Sequence, residues 1–148
     1  MTAAFGKLQF DRTFGAAPTR VFEALISPSD RMAWGPPGTD HVVLIEGQPD
    51  PAPGVREWSR CGPRDTPYVD VATDWILIES PARLLYAETL CAEGEVLGSS
   101  FATFELAADG VGTALRGTVH LVSFIGEEML GEFEGGWSHA MDNLSHYL

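Results

Sequence analysis

The feature that most constrains the fold is a single amphipathic segment, from Gly126 to Leu148. Placed at about 100° per residue, its apolar side chains share an arc of about 120°, which predicts one long helix with a core-facing stripe. The stripe consists of Met129, Leu130, Phe133, Trp137, Ala140, Met141, Leu144, Tyr147 and Leu148. Carboxylates at Glu127 and Glu128 suit the positive end of the helix dipole. A helix of this kind must bury its aromatic stripe against a surface that the rest of the chain supplies.

A glycine pair, Gly135-Gly136, lies in the middle of this helix. Each glycine costs about 1 kcal/mol relative to alanine in a helix interior. The pair predicts either a kink or a close approach of another part of the backbone. Both would suit a helix that wraps over a curved surface.

The remaining segments are mainly strands. Alternating apolar residues predict a first strand, Ala-Pro and Ser-Pro signals predict two short helices, and a series of strands follows. The predicted strands are Leu8–Phe14, His41–Glu46, Val55–Cys61, Tyr68–Glu79, Arg83–Cys91, Ser99–Ala107 and Thr113–Val122, with the short helices starting at Pro18 and Ser27. We therefore expect one α+β domain over residues 1–148, a helix-grip fold in which a curved antiparallel sheet of about six to seven strands wraps around the C-terminal helix.

Composition excludes some classes of partner. The net charge of −12, with nine Lys and Arg, disfavours nucleic acid and anionic membranes, both of which need basic surface. The N-terminus has no signal-peptide pattern, and no apolar run approaches the roughly 20 residues of a membrane span. We expect a cytoplasmic protein whose Cys61 and Cys91 are reduced thiols, with a single disulfide as the alternative.

Four segments carry a resemblance to a known family. They are FDRTFGAAPTRVFEALISPSDRMAWGPPG, ESPARLLYAE, GTALRGTVH and GGWSHAMDNLSHYL, in this order. Together they resemble the START-like, or SRPBCC, superfamily, and within it the proteins similar to the activator of the 90-kDa heat-shock-protein ATPase. The resemblance implies a helix gripped by a curved sheet with an internal cavity between them.

Large rings are numerous for a domain of this size. Such side chains usually form core, but Trp and Tyr also suit a ligand cavity because each combines an apolar body with one polar group. We expect a mostly apolar pocket with one or two polar groups, holding a hydrophobic small molecule. Its predicted lining is Trp34, Trp58, Tyr86, His120, Phe133, Trp137 and Met141.

Catalytic candidates are few. His120 lies in an apolar strand and is either a core or rim histidine or, if it faces the cavity, a general acid or base that works with an inward carboxylate or with Tyr86. Charged residues also occur inside strands, and any that point inward would pair with one another or orient a ligand head group: Arg12, Glu57, Asp74 and Glu88. No phosphate loop, catalytic triad, dinucleotide fingerprint or zinc-cysteine motif is present, so no cofactor is expected.

The last helix also contains a candidate metal site. His139, Asp142 and His146 are spaced i, i+3, i+7 and share one helical face, but that face lies opposite Trp137 on the solvated side. We expect no metal. The leading hypothesis is a small-molecule-binding protein with an apolar or aromatic ligand. The alternatives are a cyclase, dehydratase or hydrolase that uses His120, and a chaperone-associated interaction module; a homodimer is left open.

Overall fold

The computed structural model describes residues 2–148 and has the expected order of elements, one strand, two short helices, six strands and a long helix. The strands are β1 (Ala4–Phe14), β2 (His41–Leu44), β3 (Arg56–Pro63), β4 (Val69–Glu79), β5 (Arg83–Ala92), β6 (Glu95–Asp109) and β7 (Gly112–Ser123). The helices are α1 (Pro18–Ile26), α2 (Pro28–Trp34) and α3 (Glu128–Tyr147). Pro18 and Pro28 each stand at the start of a helix, where proline loses no hydrogen bond.

The strands form one antiparallel sheet in the order β1-β7-β6-β5-β4-β3-β2. Strands β2 to β7 form a meander, in which each strand pairs with the next one along the chain. Strand β1 pairs with β7 and forms one edge of the sheet, with Phe10 opposite Gly117. The curved antiparallel sheet with a C-terminal helix confirms the predicted α+β helix-grip fold.

The two faces of the sheet differ in burial, and β7 illustrates the difference. Leu115, Val119 and Leu121 are buried on one face, whereas Arg116 and His120 are exposed on the other. Successive side chains of a strand point to opposite faces, so this alternation defines an inner face toward α3 and an outer face toward solvent.

The core lies between the inner face, α1 and the C-terminal half of α3. Met141 and Leu144 of α3 are completely buried there with Phe22 of α1. The Trp137 ring lies 5.9 Å from the Phe10 ring and 5.7 Å from the Phe104 ring, centroid to centroid. These contacts confirm the prediction that Trp137 meets the inner face of the sheet.

Glycines on the sheet, rather than those on α3, permit the close packing. A Cβ atom on Gly117 would lie 2.3 Å from the Phe10 ring, and one on Gly98 would lie 3.0 Å from Cε of Met129. By contrast, a Cβ on Gly135 or Gly136 would meet nothing within 4 Å. The predicted close backbone approach at the Gly135-Gly136 pair is therefore wrong, because both glycines border open space.

Two further features follow from the described residues. Between residues 2 and 148, no helix is both long and apolar enough to cross a membrane. Cys61 and Cys91 are both free thiols.

Candidate ligand-binding cleft

A cleft opens where the N-terminal half of α3 crosses strands β3 to β6, and we call it the α3–sheet cleft. Its volume is about 470 Å³, within the range of small-molecule sites. Its lining is mostly apolar and aromatic. The lining residues are Trp34, Gly35, Pro37, Cys61, Tyr68, Val69, Glu88, Leu90, Leu97, Ile125, Met129, Glu132, Phe133, Gly136, Trp137 and Ala140.

One wall of the cleft comes from the end of α2 and the turn after it. The Trp34 indole nitrogen donates a hydrogen bond to the Ala24 carbonyl at 2.8 Å, so this N–H is already satisfied within the protein. The Asn143 side chain of α3 donates to the Pro36 carbonyl at 2.8 Å and holds the Pro36-Pro37 turn against the helix. Trp34 therefore presents only its apolar surface to the cleft.

Beneath the apolar lining, four polar side chains form a row across the inner face. Glu57, Thr73, Glu88 and Ser100 occupy directly paired positions on β3, β4, β5 and β6, and we call them the polar row. Directly opposite residues on neighbouring strands have Cβ atoms about 4.5–5.5 Å apart. Glu57, Thr73 and Ser100 are at most 3% exposed. A continuous polar band thus crosses the sheet next to the cleft.

An ion pair satisfies one end of the polar row. Glu57 accepts from both terminal nitrogens of Arg31, including a 3.1 Å bond from Nη1 to Oε1. The same guanidinium donates to the Ile26 carbonyl at 3.0 Å and lies 5.1 Å from the centre of the Trp75 ring. Glu57 is fully buried, so its charge depends on this partner.

Glu88 is the carboxyl of the row that reaches the cleft. Burial is the main cause that raises its pKa above the ordinary value, and the nearby Glu57 carboxylate adds to this, while Arg31 opposes it. The Thr73 hydroxyl donates to Oε2 of Glu88 at 3.5 Å, a long bond that gives weak support. Glu88 therefore gains from any hydrogen-bond donor or positive charge placed in the cleft.

Two buried polar atoms near the row are unsatisfied. Ser100 Oγ and Trp75 Nε1 find no hydrogen-bond partner among the residues that the structure describes. Leaving such a group unpaired costs about 1–3 kcal/mol, so native structures contain few of them. Ser100 stands opposite Glu88 in the strand register, which places its hydroxyl on the inner face beside the one carboxyl of the row that lines the cleft.

Two further titratable groups near the cleft, Cys61 and Tyr86, have raised pKa values. Burial, together with the Glu88 and Asp70 carboxylates, raises the pKa of Cys61 to about 11, so its thiol is protonated and a poor nucleophile. Burial also raises the pKa of Tyr86 well above its usual value. Neither group is activated for nucleophilic chemistry.

Of the seven predicted ligand-contacting residues, the structure brings three together at the cleft: Trp34, Phe133 and Trp137. Tyr86 and Met141 lie on the correct side of the sheet but do not line the cleft. Tyr86 packs 5.1 Å from the Trp75 ring, and Met141 is 1% exposed. The prediction that these two residues line the cleft is wrong, because their side chains pack in the core.

Trp58 and His120 lie on the outer face, so the prediction that they line the cavity is wrong. Trp58 is 47% exposed beside Arg56, whose guanidinium carbon lies 5.9 Å from the centre of the ring. His120 is exposed and stands opposite Phe101 of β6 and Lys7 of β1. Both residues fall at strand positions whose side chains point away from α3. His120 is therefore separated from the cleft by the sheet itself.

Other charged residues singled out in the sequence have partners on the surface. Arg12 shares the inner parity of β1 and reaches Asp142 of α3 at 2.5 Å. Asp142, one of the three residues considered for a metal, thus forms an ion pair with Arg12. Asp74 accepts two hydrogen bonds from Arg56 on the outer face.

A second concavity, of about 600 Å³, lies at the opposite end of β1, β6 and β7. Five of its eleven lining residues are charged, and two of these, Asp11 and Arg116, pair with each other at 2.9 Å. The α3–sheet cleft is smaller, but it alone of the two combines an apolar lining with a buried polar group.

Several residues of the cleft were not predicted to belong to the site. Glu88 was identified only as a charged residue within a strand, although it shares the parity of Leu84, Tyr86 and Leu90, which is the signal of an inward position. Tyr68 and Met129 also line the cleft. Met129 lay on the predicted apolar stripe of the helix, but no sequence pattern separates its cleft position from a core position.

Comparison with known proteins agrees with this architecture. Protein Mll3558 from Rhizobium loti superimposes with a TM-score of 0.84 at 22% identity, over 100% of both chains. An uncharacterised protein from Rhizobium leguminosarum gives 0.81 at 22% identity, over 99% of this chain and 95% of that one. Protein CV1439 from Chromobacterium violaceum gives a TM-score of 0.81 at 18% identity, over 95% of this chain and 94% of that one. Identities this low establish the fold alone.

No protein of curated function matches the chain. The family model described as "Activator of Hsp90 ATPase homolog 1-like protein" matches residues 15–148, which include α1, α2, α3 and strands β2 to β7. This match confirms the resemblance inferred from the sequence. The chain belongs to the family of activator of Hsp90 ATPase homolog 1-like proteins.

Proposed function

We propose that this protein binds an apolar or aromatic small molecule in the α3–sheet cleft. The observation that carries the proposal is the combination of an apolar cleft of about 470 Å³ with two carboxyls among its lining residues, Glu88 on the sheet and Glu132 on α3. Small-molecule sites have this character, because apolar walls supply affinity and a few polar groups fix the orientation. The unsatisfied Ser100 hydroxyl on the same face supports it further.

Binding has more support here than catalysis. An enzyme that worked by acid–base chemistry would need at least two polar groups converging on one point of the substrate. His120, the residue predicted for that role, lies on the other side of the sheet. Tyr86 is packed in the core, and Cys61 is a protonated thiol. Two carboxyls remain, the exposed Glu132 on α3 and Glu88 on the sheet, and neither has an acid–base partner among the described residues of the cleft, which suits recognition of a ligand group.

The test uses the two adjacent helix glycines as a matched pair. Gly136 lines the cleft and Gly135 does not, and an added side chain at either position begins in open space. Replacing Gly by Leu in a helix gains roughly 0.8 kcal/mol, so both variants should fold. We expect Gly136→Leu to fill part of the cleft and weaken binding of the neutral apolar dye Nile red at least tenfold. Gly135→Leu should bind the dye as the wild type does.

Dye titration followed by fluorescence gives the readout. The wild type should saturate near one dye per chain and lose tryptophan emission, since Trp34 and Trp137 line the cleft. Equal binding by Gly136→Leu and Gly135→Leu would place the dye elsewhere and contradict the proposal. So would the absence of saturable binding to the wild type.

A second candidate is the protein-interaction module that the family name suggests. The observation in its favour is an apolar patch on the outer face, where Phe5 is 77% and Phe101 50% exposed near Val122. Exposed apolar patches of this kind are common at protein interfaces. A double variant, Phe5→Ser with Phe101→Ser, leaves the cleft untouched. If it loses association with another protein or with a second copy while the wild type binds no dye, the interaction function takes precedence.

A further inference from the structure

We propose that the ligand of the α3–sheet cleft carries a positive charge, as an organic amine with an apolar body, and that Glu88 together with Ser100 receives its ammonium group. This inference rests on the proposed function and specifies the chemical class of the ligand.

The charges around the cleft favour a cation over an anion. Among the described residues that line it, Glu88 and Glu132 are acidic and none is Lys, Arg or His. Arg31, the cation whose charge acts on Glu88, is committed to both oxygens of Glu57 and to the Ile26 carbonyl. A carboxylate or phosphate ligand would therefore approach two acidic side chains without a free basic partner, and its desolvation would be uncompensated.

The acceptors on the inner face fit an ammonium group. A primary ammonium has three N–H donors and no acceptor. The Glu88 carboxylate supplies acceptor oxygens, and Ser100 Oγ, which is 2% exposed and unpartnered, stands directly opposite in the strand register. An ammonium between them would satisfy the orphaned hydroxyl and place a positive charge next to the half-buried Glu88. Thr73, on the other side of Glu88, already donates to its Oε2.

The walls of the cleft add a second contribution. Four rings line it, those of Trp34, Tyr68, Phe133 and Trp137. Aromatic faces attract cations, by about 0.5–1 kcal/mol at exposed sites and about 2 where water is excluded. The same rings offer dispersion contacts to an apolar body, so both parts of an amphiphilic amine are accommodated.

The test compares three probes that share a ten-carbon chain and differ in the head group: decylammonium, decanol and decanoate. Each displaces Nile red from the cleft at pH 7.5 in 150 mM salt, a solution in which surface charges are largely screened. We expect decylammonium to bind at least tenfold tighter than decanol, and decanoate to bind more weakly than decanol.

Two variants of equal charge locate the effect. Glu88→Gln should bring decylammonium within about twofold of decanol and leave decanol unchanged. Glu134→Gln removes the same charge from an exposed position of α3 outside the cleft and should keep the preference. Thermal unfolding verifies that both variants are folded.

Three outcomes would overturn the inference. Equal affinity for decylammonium and decanol in the wild type would do so, as would a preserved preference in Glu88→Gln. An equal loss in Glu134→Gln would assign the attraction to the net charge of the protein instead. In all three the chains still bind in the cleft, so the proposed function survives. Absence of saturable Nile red binding would remove the proposed function and this inference together.

Discussion

Two neighbouring residues of α2, Asp30 and Arg31, enter polar networks of opposite character. Asp30 is 8% exposed and accepts from Arg20 at 2.8 Å and from the Tyr147 hydroxyl at 2.5 Å, which joins α1, α2 and α3. We call these three residues the Asp30 network. Arg31 instead donates hydrogen bonds to Glu57, the first residue of the polar row. In that row the Glu57 carboxylate has hydrogen-bond donors, whereas the Ser100 hydroxyl has no partner among the described residues.

The difference separates structural polar groups from those available to a ligand. Both carboxylate oxygens of Asp30 have donors from the protein itself, so the Asp30 network is complete and serves to fix the helices. In the polar row, Glu57 has hydrogen-bond donors for both carboxylate oxygens, whereas the Ser100 hydroxyl at the other end has no partner among the described residues. A small domain that keeps an unpaired buried hydroxyl forgoes stability there, as binding sites commonly do.

The two networks also respond to pH in opposite directions. Hydrogen bonds from Arg20, and secondarily from Tyr147, hold the pKa of Asp30 below its ordinary value. Its contribution to stability is therefore present above the unfolded-state pKa and is lost as the pH falls through the folded-state pKa. Burial raises the pKa of Glu88, so the folded state binds its proton more tightly. That contribution is full below the unfolded-state pKa of Glu88 and is lost as the pH rises through its folded-state pKa.

The largest loss of stability is expected when the ion pair between Arg31 and Glu57, at one end of the polar row, is broken. Arg31→Ala leaves the fully buried Glu57 without its counter-charge, and removal of one partner from a buried pair costs about 3–5 kcal/mol. The measurement is the free energy of unfolding in urea. The double variant Arg31→Met with Glu57→Leu removes both charges and should recover most of the loss. A double variant no more stable than Arg31→Ala would show that packing of Arg31 on Trp75 dominates instead.

An intermediate effect is expected in the Asp30 network. Asp30→Asn keeps the shape but weakens the charge-assisted bonds from Arg20 and Tyr147, with an expected loss of about 1.5–3 kcal/mol at pH 7. Because the Asp30 carboxyl becomes protonated in acid, the difference between variant and wild type should shrink as the pH falls below the ordinary value of 3.8 and through the lower folded-state pKa. Urea unfolding at a series of pH values measures it, and a difference independent of pH would contradict the role given to the carboxylate.

The smallest changes in stability are expected when one hydroxyl is removed from the polar row and one from the Asp30 network. Ser100→Ala deletes an unpaired buried hydroxyl and should raise the free energy of unfolding by about 1 kcal/mol. Tyr147→Phe deletes a hydroxyl bonded to Asp30 and should lower it. Thermal unfolding of both variants suffices. If both changes destabilise, Ser100 has a partner within the fold and the polar row is structural.

Much of the fold could be predicted from the sequence because the signals are local and repeated. The stripe from Met129 to Leu148 predicted the ends of α3 to within two residues, and alternation, β-branched runs and turn residues indicated where each strand lies. The order of the strands needed no long-range information, since a meander pairs neighbours along the chain. The exception is the pairing of β1 with β7, which joins strands from the two ends of the chain and which no local pattern predicts.

The site was harder to predict because a large aromatic side chain suits both a core and a cleft. Trp58 lies between Arg56 and Arg60 at the same parity, and His120 shares the parity of Arg116, so counting alternate residues assigns both to the outer face. That parity signal was present in the sequence and was outweighed by residue type. The distinction between Met129, which lines the cleft, and Met141, which is buried, depends on where α3 departs from the sheet, and periodicity carries no such information.

The pairing of β1 with β7 has a consequence for how the chain folds. Strands β2 to β7 can assemble through hairpins between neighbours, whereas Phe10 meets Gly117 only after nearly the whole chain has been brought together. Contacts of such high sequence separation slow folding, because loop-closure entropy is lost before they form. Until β1 docks, β7 is an open edge whose backbone groups and apolar inner residues, Val119 and Leu121 among them, are exposed to other chains. The interval before β1 docks is therefore when aggregation competes most strongly with folding.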